Sequence, residues 1–126
     1  MIPSQMLKGT LEGCILKVIS EKETYGYEIS EKLRAYGFSD ISEGTIYPLL
    51  LRLEKNGLIT AEHRQSPVGP KRKYFSISPE GKVELEQFYV SWQELSGAIN
   101  RIFTETKMEL EGMEHDAKNK NVTEGK

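Results

Sequence analysis

Between residues 44 and 75 six basic side chains (Arg52, Lys55, Arg64, Lys71, Arg72 and Lys73) stand against two acidic ones, Glu54 and Glu62. Three of the cations are consecutive and follow the Pro/Gly-rich stretch SPVGP. Such a cluster suits a polyanion, because a phosphate backbone is bound by charge neutralisation with release of its counterions. A short basic cluster is also what a solvated surface carries, so the elements around it must decide. Catalysis has no comparable footing. The chain holds no Gly-rich phosphate loop, nucleophile elbow or paired-histidine helix, and His63 and His115 lie far apart. The single cysteine, Cys14, has no partner for an internal disulfide, and with two histidines it does not make up a zinc cluster. Neither an enzyme nor a bound metal or cofactor is expected.

With 126 residues, 37% hydrophobic and 29% charged, the composition is that of one ordinary soluble globular domain. The net charge of -2 hides an uneven distribution: residues 1–82 carry 12 Lys/Arg against 10 Asp/Glu, and residues 83–126 carry 5 against 9. A polyanion responds to the field over one face, not to the total. No run of eighteen apolar residues occurs, and the first residues lack the basic-then-apolar layout of a secretory signal, so a cytoplasmic protein with no membrane partner is expected.

Residues 5–20 place Leu7, Leu11, Ile15, Val18 and Ile19 at helical spacing, which predicts a first helix. Gly9 and Gly13 weaken it by about 1 kcal/mol each, and mark either the close approach of another helix or, for Gly9, a helix start. Cys14, beside this stripe, reads as a buried inert thiol. Thr24 is the expected cap of a second helix, with Tyr25, Ile29 and Leu33 on one face and Gly37 as its stop. Ser42 is the expected cap of a third, whose Ile46, Leu49, Leu50 and Leu53 form one apolar stripe and which ends at Asn56-Gly57. ITAEHRQ and RKYFSIS then read as a β-hairpin around the turn. Ser78-Pro79-Glu80 opens another helix, with Ser as cap and Pro in its first position. From Gly112 aliphatic residues become rare, which predicts a disordered tail over 112–126.

Three short helices followed by a hairpin with a basic turn is the order of a winged helix-turn-helix. The fold expected is mainly α with a small β-hairpin: a DNA-binding domain over 1–78, a long dimerisation helix over 79–111, and the tail. The apolar stripe of the third helix leaves Glu43, Gly44, Thr45, Tyr47, Pro48, Arg52 and Lys55 on its other side. Gly44 and Thr45 allow close approach to base edges in the major groove, while Arg52 and Lys55 suit phosphates. Lys71, Arg72 and Lys73 at the hairpin suit backbone or minor-groove contact. Tyr47 either enters the groove or packs on the second helix. Pro48 requires that the helix start nearer Thr45 or bend, since it has no N–H for the carbonyl of Gly44.

The segments TYGYEISEKL, EGTIYPLLLRLEKNGLI and GPKRKYFSISPEGK, in this order, resemble the PadR family of bacterial transcriptional regulators across about residues 7–82. The interior Tyr47-Pro48 followed by Leu53-Glu54 and Asn56-Gly57-Leu58-Ile59 is the specific part. The resemblance implies a homodimeric repressor on a two-fold symmetric duplex operator, released by a small aromatic or cationic ligand. It places Thr45, Tyr47 and Pro48 in the recognition helix and Lys71, Arg72 and Lys73 on the wing.

In the last helix, Leu85, Trp92 and Ile99 are seven apart, and so are Phe88, Leu95 and Ile102 with an offset of three, which makes an a/d seam. This face either packs on the chain's own core or joins two copies. The dimer is favoured, because a winged helix has too small a core to cover so many large groups, and Leu7 and Leu11 are the expected partner surface. Trp92, in mid-seam, is either a core residue or half of a paired-indole slot for a flat ligand. The alternatives to DNA binding are a winged-helix protein-interaction module, against which the three consecutive cations speak, and a metal or redox sensor, against which the lone Cys14 speaks.

Overall fold

The computed structural model describes residues 1–117, and the side chains of these except 106–111 and 113–117. The elements run α1 (Ser4–Leu7), α2 (Leu11–Glu21), β1 (Thr24–Tyr25), α3 (Gly26–Ala35), α4 (Glu43–Lys55), β2 (Ile59–Arg64), β3 (Arg72–Ile77) and α5 (Pro79–Ala117). The chain divides into two compact units, Met1–Tyr89 and Val90–Lys126. The fold class is the expected one, helix-rich with a small antiparallel sheet and a long last helix, and the sheet has one strand more than the hairpin alone supplies.

That third strand corrects the expected role of Thr24. Thr24 and Tyr25 pair antiparallel with Phe75 and Tyr74, so the sheet order is β1-β3-β2. Helix α3 therefore starts at Gly26, and the Thr24 hydroxyl donates to Glu28 Oε1 at 2.7 Å instead of capping the backbone. The helix expected over 5–20 is likewise two helices. α1 stops at Leu7, Gly9 turns the chain with a φ of +89°, and the Thr10 hydroxyl donates to the Leu7 carbonyl at 2.9 Å. Glycine enters that left-handed region without steric penalty. Of the two glycines only Gly13 marks a close approach: it is buried, and a Cβ there would collide with the Phe88 ring of α5.

The core gathers where three helices meet the sheet. Ile15, Leu16 and Ile19 of α2, Ile29 and Leu33 of α3, Ile46, Leu50 and Leu53 of α4, and Ile59 and Phe75 of the sheet are all buried. At about 1.5–3 kcal/mol for each fully buried apolar side chain, this cluster is the main force fixing α4 against its neighbours. Leu49, expected in the same stripe, is half-buried at its margin.

Helix α4 begins after Ser42, whose carbonyl accepts from the amides of Thr45 at 3.0 Å and Ile46 at 3.2 Å. The Ser42 hydroxyl makes no capping bond and lies 3.3 Å from Thr45 Oγ1. The helix runs through Pro48 from a start at Glu43, so a start nearer Thr45 does not hold. Its far end is a left-handed cap: Gly57 has a φ of +76°, its amide donates to the Glu54 carbonyl, and the Leu58 amide donates to the Leu53 carbonyl, both at 3.0 Å.

Ser78 fastens this cap to the last helix. Its hydroxyl donates to the Gly57 carbonyl at 2.6 Å and accepts from the Gly81 amide at 3.0 Å. Its own amide donates to the Leu58 carbonyl at 3.0 Å. Gly81 is buried so close to that carbonyl that a Cβ would collide with it. Helix α5 continues to Ala117, beyond the expected end at 111, and residues 118–126 of the expected tail lie outside the described residues. Among the described residues no helix is long and apolar enough to cross a membrane.

Candidate nucleic-acid interface

With Ile46, Leu50 and Leu53 held in the core, the opposite side of α4 is fixed outward. Gly44, Thr45, Tyr47, Pro48, Arg52 and Lys55 are all exposed, and so is Glu43. Tyr47 keeps 48% of its surface open, so its ring is not packed away against α3. The small Gly44 and Thr45 stand at the N-terminal end, the part of a recognition helix that reaches base edges.

The cations differ in what they are free to do. Arg52 is ion-paired with Glu12 of α2, its Nε donating at 2.5 Å. Lys55 is exposed and makes no ion pair among the described residues. Of the three consecutive cations, Lys71 and Arg72 are exposed, whereas the Lys73 side chain is 19% exposed, with Nζ 3.1 Å from Glu54 and over the Phe75 ring. Lys73 therefore ties β3 to α4. The Arg72 guanidinium lies 4.5 Å from the centre of the Tyr25 ring, Tyr25 meets Tyr74 edge-on at 5.3 Å, and Arg64 lies 5.0 Å from the Tyr74 ring. This cation–aromatic row links all three strands at the turn end of the hairpin. Arg64 is also hydrogen-bonded to Glu23 and Glu62, which hold it charged more firmly than an ordinary arginine.

A cleft of about 260 Å³ opens between α4, the start of α3 and β3. Ile46, Leu50 and Phe75 form its floor, and Tyr25, Tyr27, Glu43, Tyr47 and Arg72 its rim. The Tyr27 phenol is pushed up from its ordinary range chiefly by its hydrogen bond to Glu31, so it remains protonated and polar at the rim. Tyr25 and Tyr27 were not among the residues expected at this face. Their signal in the sequence is the pair of tyrosines flanking Gly26, but only the β1–β3 pairing brings them to α4.

The residues of the expected dimer seam fall into two groups. Leu11 is buried in its own chain's core, Leu7 and Leu85 pack against that core, and the Phe88 ring covers Gly13. Trp92, Leu95, Ile99 and Ile102 are exposed, at 42%, 52%, 42% and 61%.

Residues 15–87 match the model of the transcriptional regulator PadR-like family. Among solved structures, a PadR-like transcriptional regulator from Bacillus cereus is 52% identical with a TM-score of 0.71, and the match covers 79% of this chain and 96% of that one. A Streptococcus transcriptional regulator is 50% identical with a TM-score of 0.70, covering 79% and 98%. A Mycobacterium tuberculosis transcriptional regulator is 31% identical over 85 residues, 68% of this chain and 78% of the relative.

Proposed function

Since the chain belongs to the PadR-like family of transcriptional regulators and is thereby a DNA-binding regulator, we propose that it acts in the cytoplasm as a homodimeric repressor on a two-fold symmetric operator. The observation that carries this reading is the shared exposure of the α4 polar side and of Lys71 and Arg72. Gly44, Thr45, Tyr47 and Pro48 meet the major groove, Arg52 and Lys55 reach phosphates further along, and Lys71 and Arg72 clamp the backbone beside it. Lys73 serves by holding the hairpin against α4 through Glu54. Arg52 must exchange Glu12 for a phosphate, so its net contribution is the smaller one.

A dimer is supported by the exposed heptad residues Trp92, Leu95, Ile99 and Ile102. Covering each with a second copy removes apolar surface from water, a gain of about 1.5–3 kcal/mol per fully buried side chain. Two recognition helices then meet half-sites one DNA turn apart, about 34–36 Å. Trp92 paired with its own copy makes a slot for a flat aromatic or cationic ligand, whose entry changes that spacing and releases the operator.

Mobility shifts of the full chain on the duplex upstream of its own gene, across a salt series, test the reading. Converting Lys71 and Arg72 to Ala should weaken binding on every duplex and flatten the salt dependence by a slope of about 1 per lost phosphate contact. An unchanged slope removes the hairpin from the interface. Failure of the unaltered chain to bind duplex at low salt removes the operator reading altogether.

A further inference from the structure

We propose that Glu43 sets a base preference in the operator, its carboxylate accepting a hydrogen bond from the exocyclic amine of a cytosine at one position of each half-site. The inference rests on the DNA-binding reading above and deepens it. Glu43 is the first residue of α4 and exposed, at the end of the helix that comes nearest to base edges. It lines the cleft with Tyr47 and Arg72, and its Oε2 lies 3.6 Å from the place where a Cβ on Gly26 would stand. A Cβ on Gly26 would stand in ordinary contact with the carboxylate, which places Glu43 beside the start of α3.

Several acidic residues of this unit are held by a cation, whereas among the described residues Glu43, like Glu28 and Asp40, is not. Glu12 is paired with Arg52, Glu54 with Lys73, and Glu23 and Glu62 with Arg64. Glu43 makes no ion pair among the described residues, although Arg72 and Lys73 line the same cleft. No ion pair among the described residues cancels its charge, and DNA that closes over α4 must supply a partner or leave a desolvated anion without one. Phosphate cannot be that partner, being an anion itself. A carboxylate only accepts, so it needs a donor at a base edge. Cytosine offers its N4 amine in the major groove, whereas the adenine N6 amine sits beside the N7 acceptor, which a carboxylate meets unfavourably.

Selection from a pool of duplexes with a randomised core, using the full chain as wild type, E43Q and E43A, tests this. Titration of duplexes altered one base pair at a time then gives the ratios. The wild type should enrich cytosine at one symmetric position. E43A should lose that preference, the ratio falling roughly 5- to 150-fold, the range of a single well-made base contact. E43Q both donates and accepts, and should shift the preference to adenine. Circular dichroism of both variants checks that the exposed substitution leaves the fold intact. Identical base preferences in all three proteins overturn the inference alone. So does uniformly tighter binding by the variants, since the carboxylate then only repels the backbone. No enrichment by the wild type overturns the operator reading and this inference with it.

Discussion

In the Met1–Tyr89 unit, Ile15, Ile29, Ile46 and Leu50 are 0% exposed, while in the Val90–Lys126 unit Ile99, Ile102 and Phe103 keep 42%, 61% and 70% of their surface open. The residue types are alike and the helical spacing is as regular in the second unit as in the first. Periodicity therefore states that a helix has an apolar side and is silent on what covers it. In the first unit the cover is three helices and a sheet of the same chain. In the second, the cover proposed above is another copy.

Substitutions of one kind in both units can break this contrast. Leu50→Ala opens a cavity in the core and should lower folding stability by about 2–5 kcal/mol in urea titrations. Leu95→Ala should leave the Met1–Tyr89 fold intact and weaken self-association by up to about 1.5–3 kcal/mol, read by analytical ultracentrifugation. If Leu95→Ala unfolds the chain as Leu50→Ala does, the two units are covered in the same way and the contrast fails. Gly13→Ala forces the Phe88 ring to move and should cost about 1–3 kcal/mol. Adding Phe88→Ala should cost less than the sum of the two single changes, because it takes away the ring that the new methyl strikes. The smallest effect belongs to Cys14, half-buried in α2 next to Gly13, where burial pushes the thiol above its ordinary range. Less thiolate forms at neutral pH, so alkylation should run slower than for a free cysteine and accelerate as pH rises through the shifted range.

What the sequence revealed and what it hid follow the distance over which each feature is decided. The stop at Asn56-Gly57 and the start at Ser78-Pro79 depend on neighbours within a few residues, and both were readable. The apolar stripe of α4 needed only its own spacing, and with it the exposed side carrying Thr45 and Tyr47 followed. β1 was unreadable because two residues have no strand signature of their own and are held by Phe75 and Tyr74, far along the chain. The sorting of the cations was hidden for the same reason: Arg52 meets Glu12 and Lys73 meets Glu54 only after the helices have packed. Spacing alone leaves Leu11 open to a partner, whereas contacts that only the folded chain makes bury it in its own core.

Ser78 has a mechanical corollary. A single hydroxyl oxygen, bonded to Gly57 at 2.6 Å and to the Gly81 amide at 3.0 Å, is at once the clasp on the tail of α4 and the first anchor of α5. With Gly81 wedged on the Leu58 carbonyl there is no slack between the two. Torque on the opening turn of α5 must therefore strain this joint or turn α4 with it, so the orientation of α4 is coupled to the root of the longest helix.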